Sequence, residues 1–434
     1  MLTLQNPLAV LPCAKVSTWY GSVGVWEGFF LPYSHTPILS HNLTMTHRRV
    51  ILLCCLLGLG AAEAAGQFTT FGYFQTSFQH RTTFDNDPKQ NSFSLQQLNL
   101  FFQTDVSRRW RAFVNFEVLN NFSSSRRWGA FNVEEAWLRY SASPKFSLKI
   151  GLQIPIFNSL NEIKNRTPLL PYIIRPLVYE TSFNEFIATE DFVPARAFVQ
   201  ADGFVPLGRA KLDYAAYLGN SPNIRSQFDN AREGDNNQTG IDTTITLLVG
   251  GRLGLRLGEV KAGVSATHDV TNEFQGVEAL FGGSDSRFAG LSRVRLGADF
   301  SVHLGPLSFE GEWIQVSYDD DEPDFNVDKT FYYGTLGFQL TEQVFVYATY
   351  WDTLRRQIEY NVNGPHGNIP FFPTDLEIEV IQAGLAYTPN DRITLKAQGG
   401  PVDVIQRVTT VPFGNLDRVI ADFNIFGIAA SVLF

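Results

Sequence analysis

The sequence predicts an all-β fold: a transmembrane antiparallel β-barrel of about sixteen strands, with a long third loop folded into its lumen. Three observations predict it. Segments of roughly ten residues alternate apolar and polar side chains. The connectors between them are alternately short and long, and the last segment ends on an aromatic residue, Phe434. Downstream of residue 64 no run of eighteen apolar residues occurs, which excludes a membrane-spanning helix there. A closed barrel is the other structure that satisfies every backbone N–H and C=O in lipid.

The alternation is explicit in several segments. Leu98, Leu100, Phe102, Thr104 and Val106 share one face, and Asn99, Gln103 and Asp105 share the other. Trp110, Ala112, Val114, Phe116 and Val118 oppose Arg111, Asn115 and Glu117, while Phe146, Leu148, Ile150, Leu152 and Ile154 oppose Ser147, Lys149 and Gln153. Ile245, Leu247, Val249, Gly251, Leu253 and Leu255 oppose Thr246, Arg252 and Arg256. Val294, Leu296, Ala298, Phe300 and Val302 oppose Arg293, Arg295, Asp299 and His303. A half-buried soluble sheet has the same period. Charged residues that recur opposite an unbroken apolar face favour the membrane barrel.

Seven short turns (107–109, 143–145, 206–209, 258–259, 305–306, 341–343, 389–391) alternate with eight longer loops (82–92, 120–131, 157–194, 220–240, 270–286, 318–329, 355–376, 400–417). They join sixteen strands and leave both termini on the short-turn, periplasmic side, an even count as in bacterial single-chain barrels. In the last strand Phe426, Ile428, Ala430, Val432 and Phe434 alternate with small residues. Such an aromatic terminus is the expected signal for barrel-assembly machinery.

The front end reads as targeting. Met45-Thr46-His47-Arg48-Arg49 is a basic n-region, Val50 to Leu59 an apolar core too short to span a bilayer, and Ala62-Glu63-Ala64 a small-residue cleavage site. Residues 45–64 are thus expected to be a signal peptide cut after Ala64, with 65–434 the barrel and 1–44 an over-long gene start. Cys13, Cys54 and Cys55 all precede that cut, so the mature chain has no disulfide framework.

Composition narrows the function classes. The chain is 44% hydrophobic, 14% aromatic and 18% charged, which excludes a disordered chain and suits a protein facing lipid. Lys15, Arg48, Arg49, Glu27 and Glu63 precede the cut, so the mature chain carries 31 basic and 41 acidic side chains, a net charge of −10. Nucleic acid is not an expected partner. No His-Glu-x-x-His, phosphate-cradling Gly-rich loop or Gly-x-Ser-x-Gly motif occurs, so neither an enzyme nor a cofactor is expected. A lipase would need a Ser–His pair on the outer surface, and His268, which faces outward by parity, has no serine partner in its own strand. The acidic runs Asp319-Asp320-Asp321-Glu322 and 229–240 lack the spacing of a calcium loop and read as solvated loops.

Four segments resemble the phosphate-selective porin O and P family: Val133-Glu134-Glu135-Ala136-Trp137-Leu138-Arg139-Tyr140, Gly151-Leu152-Gln153-Ile154-Pro155-Ile156-Phe157, Arg196-Ala197-Phe198-Val199-Gln200-Ala201-Asp202-Gly203, and Leu212-Asp213-Tyr214-Ala215-Ala216-Tyr217-Leu218-Gly219. The resemblance covers about a quarter of the chain. It implies a homotrimeric porin of the Gram-negative outer membrane, open to small anionic or neutral solutes and in contact with outer-membrane lipid and lipopolysaccharide. Family members often carry lysine where this chain has Ile154.

In a porin the chemistry is electrostatic. Inward parity makes Arg111, Arg139, Lys149, Arg196, Lys211, Arg252, Arg256, Lys261, Arg293, Arg295 and Lys396 basic lining candidates. Their acidic counterparts are Asp105, Glu117, Glu135, Asp202, Asp213, Asp299, Glu310 and Glu312. Arg252, Arg256, Lys261, Arg293 and Arg295 fall on three consecutive strands with few acids nearby and are expected to form a positive wall. The 157–194 loop is apolar for a loop and carries Glu162, Lys164, Arg166, Arg175, Glu180 and Glu185 as constriction candidates. A closed or plugged barrel, acting as adhesin or structural protein, is the alternative.

Overall fold

The computed structural model describes residues 68–82, 90–121, 130–180, 189–221, 246–271, 291–319, 327–356, 360–364, 367–371, 374–410 and 414–434. The signal-peptide and gene-start segments, Glu185, and the acidic stretches 320–322 and 229–240 lie outside them.

The strands are β1 (Phe68–Arg81), β2 (Gln90–Asp105), β3 (Trp110–Asn121), β4 (Ala130–Ser143), β5 (Phe146–Gln153), β6 (Ala197–Leu207), β7 (Ala210–Asn220), β8 (Leu247–Leu257), β9 (Val260–Thr271), β10 (Leu291–Leu304), β11 (Leu307–Asp319), β12 (Val327–Gln339), β13 (Val344–Arg356), β14 (Tyr360–Gly364), β15 (Gly367–Phe371), β16 (Thr374–Asn390), β17 (Ile393–Thr410) and β18 (Gly414–Leu433). Sixteen of them close into one antiparallel barrel in chain order, and β14 and β15 form a separate hairpin. The seam joins β1 to β18, with Tyr73 opposite Leu433. The strand-to-strand turns at Gly208, Gly258 and Gly305 place glycine at φ of 65°, 59° and 60°, the left-handed geometry that short hairpins require.

Parity holds along most strands. Val249, Leu253, Leu296, Phe426 and Ile428 are exposed on the outside, where lipid covers them, and Asn99, Asn115, Ser265 and Thr267 are buried on the inside. Two expectations need correction. The 400–417 loop is largely strand, since β17 runs to Thr410 and β18 starts at Gly414. At the start of that expected loop, a Cβ on Gly400 would stand 2.0 Å from the Ile381 carbonyl oxygen. Glycine is there for close backbone approach, and not to turn the chain. Ile154 does not continue the outer face of β5. The strand ends at Gln153, and Ile154 is buried at the start of the segment that turns inward.

Candidate functional site

Between β5 and β6 the chain enters the lumen. Prolines at 155, 168, 171, 176 and 194 interrupt this infold, and among its described residues the helical elements are short turns. Its backbone groups therefore need other partners, and wall side chains supply them. Ile156 N–H donates to Gln200 Oε1 (3.1 Å) and Asn158 N–H to Ser265 Oγ (2.9 Å). Ser159 and Leu160 N–H donate to Glu312 Oε1 (3.0 and 2.7 Å). Across the lumen, Gln398 Oε1 accepts from Ile173 and Ile174 N–H (2.7 and 2.9 Å). Lys396 Nζ donates to the Thr167 and Tyr172 carbonyls (2.8 and 3.2 Å).

Two β-bulges serve the same purpose. Gln96 is the extra residue of β2 against β1, and Glu134 the extra residue of β4 against β3. Each bulge turns two consecutive polar side chains inward. Gln96 Nε2 donates to the Ile173 carbonyl (2.5 Å), and Gln97 Oε1 accepts from Thr167 N–H (3.2 Å). Glu134 accepts from Asn165 and takes both guanidinium nitrogens of Arg196 (2.9 and 2.7 Å).

On one side the lumen is dry. Phe157, Ile173, Leu177, Val178 and Phe192 of the infold form one buried cluster with inward residues of β11 to β18, including Val316, Phe331, Trp351, Val402 and Val404. Tyr179 OH donates to Glu312 Oε2 (2.5 Å) and Tyr172 OH to Glu310. Burial pushes both phenols well above their ordinary range, so they stay protonated as donors.

The expected positive wall is not free charge. Arg252 pairs with Asp299 (2.6 Å) and Arg256 with Asp213. Arg293 and Arg295, both fully buried, share Asp269 (2.6 and 3.1 Å). Asp191, on the infold's short helix Thr189–Phe192, takes Lys329 (2.7 Å) and lies 3.6 Å from Arg293, so this cluster anchors the infold. Arg293, Arg295 and Lys396 are thus buried behind the infold and do not line open lumen. Arg111 pairs with Asp105 (2.7 Å), Arg139 with Asp202 (3.0 Å) and Lys149 with Glu162 (3.5 Å). Lys211 sits over the Phe204 ring at 5.5 Å, and Lys211 and Lys261 make no salt bridge among the described residues. In the infold Arg175 and Glu180 pair internally (3.4 Å), whereas Glu162, Lys164 and Arg166 lie on a half-exposed stretch.

Open space remains at the short-turn end. A cavity of about 880 Å³ is lined by Arg139, Lys149, Glu162, Arg252, Arg256 and Lys261 among others, and a second of about 590 Å³ by Leu160, Tyr172, Glu310 and Thr335. Sequence reasoning missed Gln96, Glu134, Asp269, Lys329 and Gln398. Adjacent polar pairs such as Gln96-Gln97 and Glu134-Glu135 are the one signal that pointed to any of them. Outside the barrel, His268 Nε2 lies 3.0 Å from Ser292 Oγ on β10, a partner from the neighbouring strand. Carboxylates of Asp352, Glu377 and Glu379, within 4.8 Å of one another, are one set among the described residues able to hold a metal, and they face outward, away from the lumen.

No protein-family model matches the chain. No curated protein matches it either. Among solved structures it is similar to an anion-selective porin from Comamonas acidovorans at 12% identity, covering 85% of this chain and 100% of that one, with a TM-score of 0.53. It is also similar to a loop L8 deletion mutant of OmpT, an outer membrane protein of Vibrio cholerae (11% identity, 85% and 99% covered, TM-score 0.49). A third is Salmonella typhi OmpF in complex with daunomycin (12% identity, 85% and 98% covered, TM-score 0.48). With a closed sixteen-strand barrel and an apolar outward face, the chain has the fold of an integral β-barrel of the outer membrane.

Proposed function

We propose that the chain is a passive porin, and not an enzyme, that passes small hydrophilic solutes and ions with a weak preference for anions. The observation that carries this reading is the asymmetry of the infold. Its 167–180 part is clamped to the wall, while Glu162 and Ile163, in a half-exposed stretch, line the 880 Å³ cavity. Charged pairs line that cavity on both sides, which suits water and ions better than an apolar ligand. Lys261, without a carboxylate partner among the described residues, tips the balance toward anions, whereas Ile154, where phosphate-selective porins often carry lysine, removes that family's own argument for anion preference. Assembly as a homotrimer fits the resemblance to that family.

The dry packing against β11 to β18 favours a second reading, a plugged barrel with a structural or adhesive role. Liposome swelling with sugars of graded size separates the two. Swelling with small sugars and none with large ones supports the porin, and no swelling with any sugar overturns it.

A further inference from the structure

We propose that the inward face of β3 to β5 is a binding site for planar aromatic carboxylates on the solute path, an inference that rests on reading the lumen as such a path. Strand register sets Arg111 directly opposite Arg139, and Arg139 directly opposite Lys149. Like charges in such positions repel and destabilise a sheet. Each cation leans on its own carboxylate to one side, at 2.7, 3.0 and 3.5 Å, and no carboxylate occupies a position between them in the row. A row of three cations facing the lumen is costly as structure and useful as an anion site.

One inward position further along the same strands the chemistry changes. Phe113 lies opposite Trp137, with stacked rings 4.8 Å apart. The stack continues through Phe101 at 5.6 Å to Phe71 at 4.9 Å. Barrel interiors of this kind are normally polar. The infold reaches this cluster only through the Asn165 carbonyl, which accepts from Tyr73 OH (2.9 Å); the buried cluster of Tyr73, Phe101 and Phe113, with Trp137 and Leu433 beside it, includes none of the infold's apolar side chains. Phe101 and Phe113 are enclosed by the stack, whereas Phe71 and Trp137, at its two ends, are only partly covered. Lys149 Nζ already sits 5.4 Å from the Trp137 ring centre.

The two rows are two residues apart, about 7 Å along a strand. That is the span from the centre of a ring to a cation hydrogen-bonded to the ring's carboxylate. Inorganic phosphate would use the cations and leave the rings idle. A neutral sugar would use the rings and bring no charge to the three cations. An aromatic carboxylate uses both, and Arg139 and Lys149 line the 880 Å³ cavity through which it would arrive.

Calorimetric titration of the full-length folded barrel in detergent tests the site, with benzoate and cyclohexanecarboxylate as probes of equal charge and similar size. Benzoate is expected to bind about 2- to 10-fold more tightly, the range of one aromatic stacking contact. Trp137→Leu should abolish that preference, and Arg139→Gln should weaken both acids while keeping it. If Trp137→Leu does not assemble, Phe113→Leu carries the same comparison, and the wild-type preference needs no variant. Chloride conductance of the same samples separates this site from the porin reading. A conducting barrel that binds the two acids equally, or binds neither, overturns the site and leaves the porin. A barrel that prefers benzoate but does not conduct keeps the site and refutes the porin.

Discussion

Gln398 and Ile174 exchange two hydrogen bonds across the lumen: Ile174 N–H donates to Gln398 Oε1 (2.9 Å), and Gln398 Nε2 donates to the Ile174 carbonyl (3.0 Å). One wall side chain thus stands in for a strand partner, and the same oxygen also accepts from Ile173 N–H (2.7 Å). Gln398→Leu keeps the volume and removes three partners from a buried backbone. Each unsatisfied group costs about 1–3 kcal/mol. The variant is expected to unfold its infold early, read as a lower heat-modification temperature on unboiled gels and noisier single-channel current.

The Asp191–Lys329 pair anchors the other end of the infold (2.7 Å, both nearly buried). Breaking such a pair from one side costs about 3–5 kcal/mol because a buried charge is left behind. Asp191→Asn and Lys329→Met should each destabilise the barrel, and the double variant should lose less than the sum of the two. Thermal melts of the four proteins measure this coupling.

Neutralising buried Arg293 or Arg295 is expected to leave ion selectivity nearly unchanged, since Asp269 and Asp191 already answer them behind the infold. Lys261→Gln should shift the reversal potential toward cations. Fixed charge acts within a Debye length, about 8 Å at physiological salt, and Lys261 lines the cavity without a salt bridge among the described residues. Bilayer recordings of Arg293→Gln, Arg295→Gln and Lys261→Gln under one salt gradient rank the three.

Phe434 closes the seam. Its N–H donates to the Gly72 carbonyl (3.0 Å), its own carbonyl accepts from Gly72 N–H (2.9 Å), and its ring lies 6.3 Å from Phe74 on the outer face. Deleting Phe434 removes both bonds and the terminal aromatic, so the amount of barrel in outer-membrane fractions should fall. Equal assembly without it would remove the role assigned to this residue.

The barrel was legible because period two survives any local sequence change that keeps an apolar face toward lipid. The Leu98, Trp110, Phe146, Leu247 and Val294 faces point outward as their alternation predicts, except for Ile154 at the end of the Phe146 face. The site was less legible because parity counting fails at a bulge: counted by twos from Gln97 and Glu135, Gln96 and Glu134 face lipid, yet the extra residue in each strand turns them inward. The positive wall failed for another reason. Asp269 sits directly opposite Arg293 only in the β9–β10 register, which the long connector between those strands leaves unspecified in the sequence. Asp191 reaches the same cluster from a loop, where no periodicity exists to place it.

Single-channel recording in planar bilayers, with the reversal potential taken under a salt gradient, tests the central claim most directly. The account predicts steady conductance, with a reversal potential displaced slightly toward the anion equilibrium value. No conductance from correctly folded protein would contradict it and favour a barrel plugged by its infold.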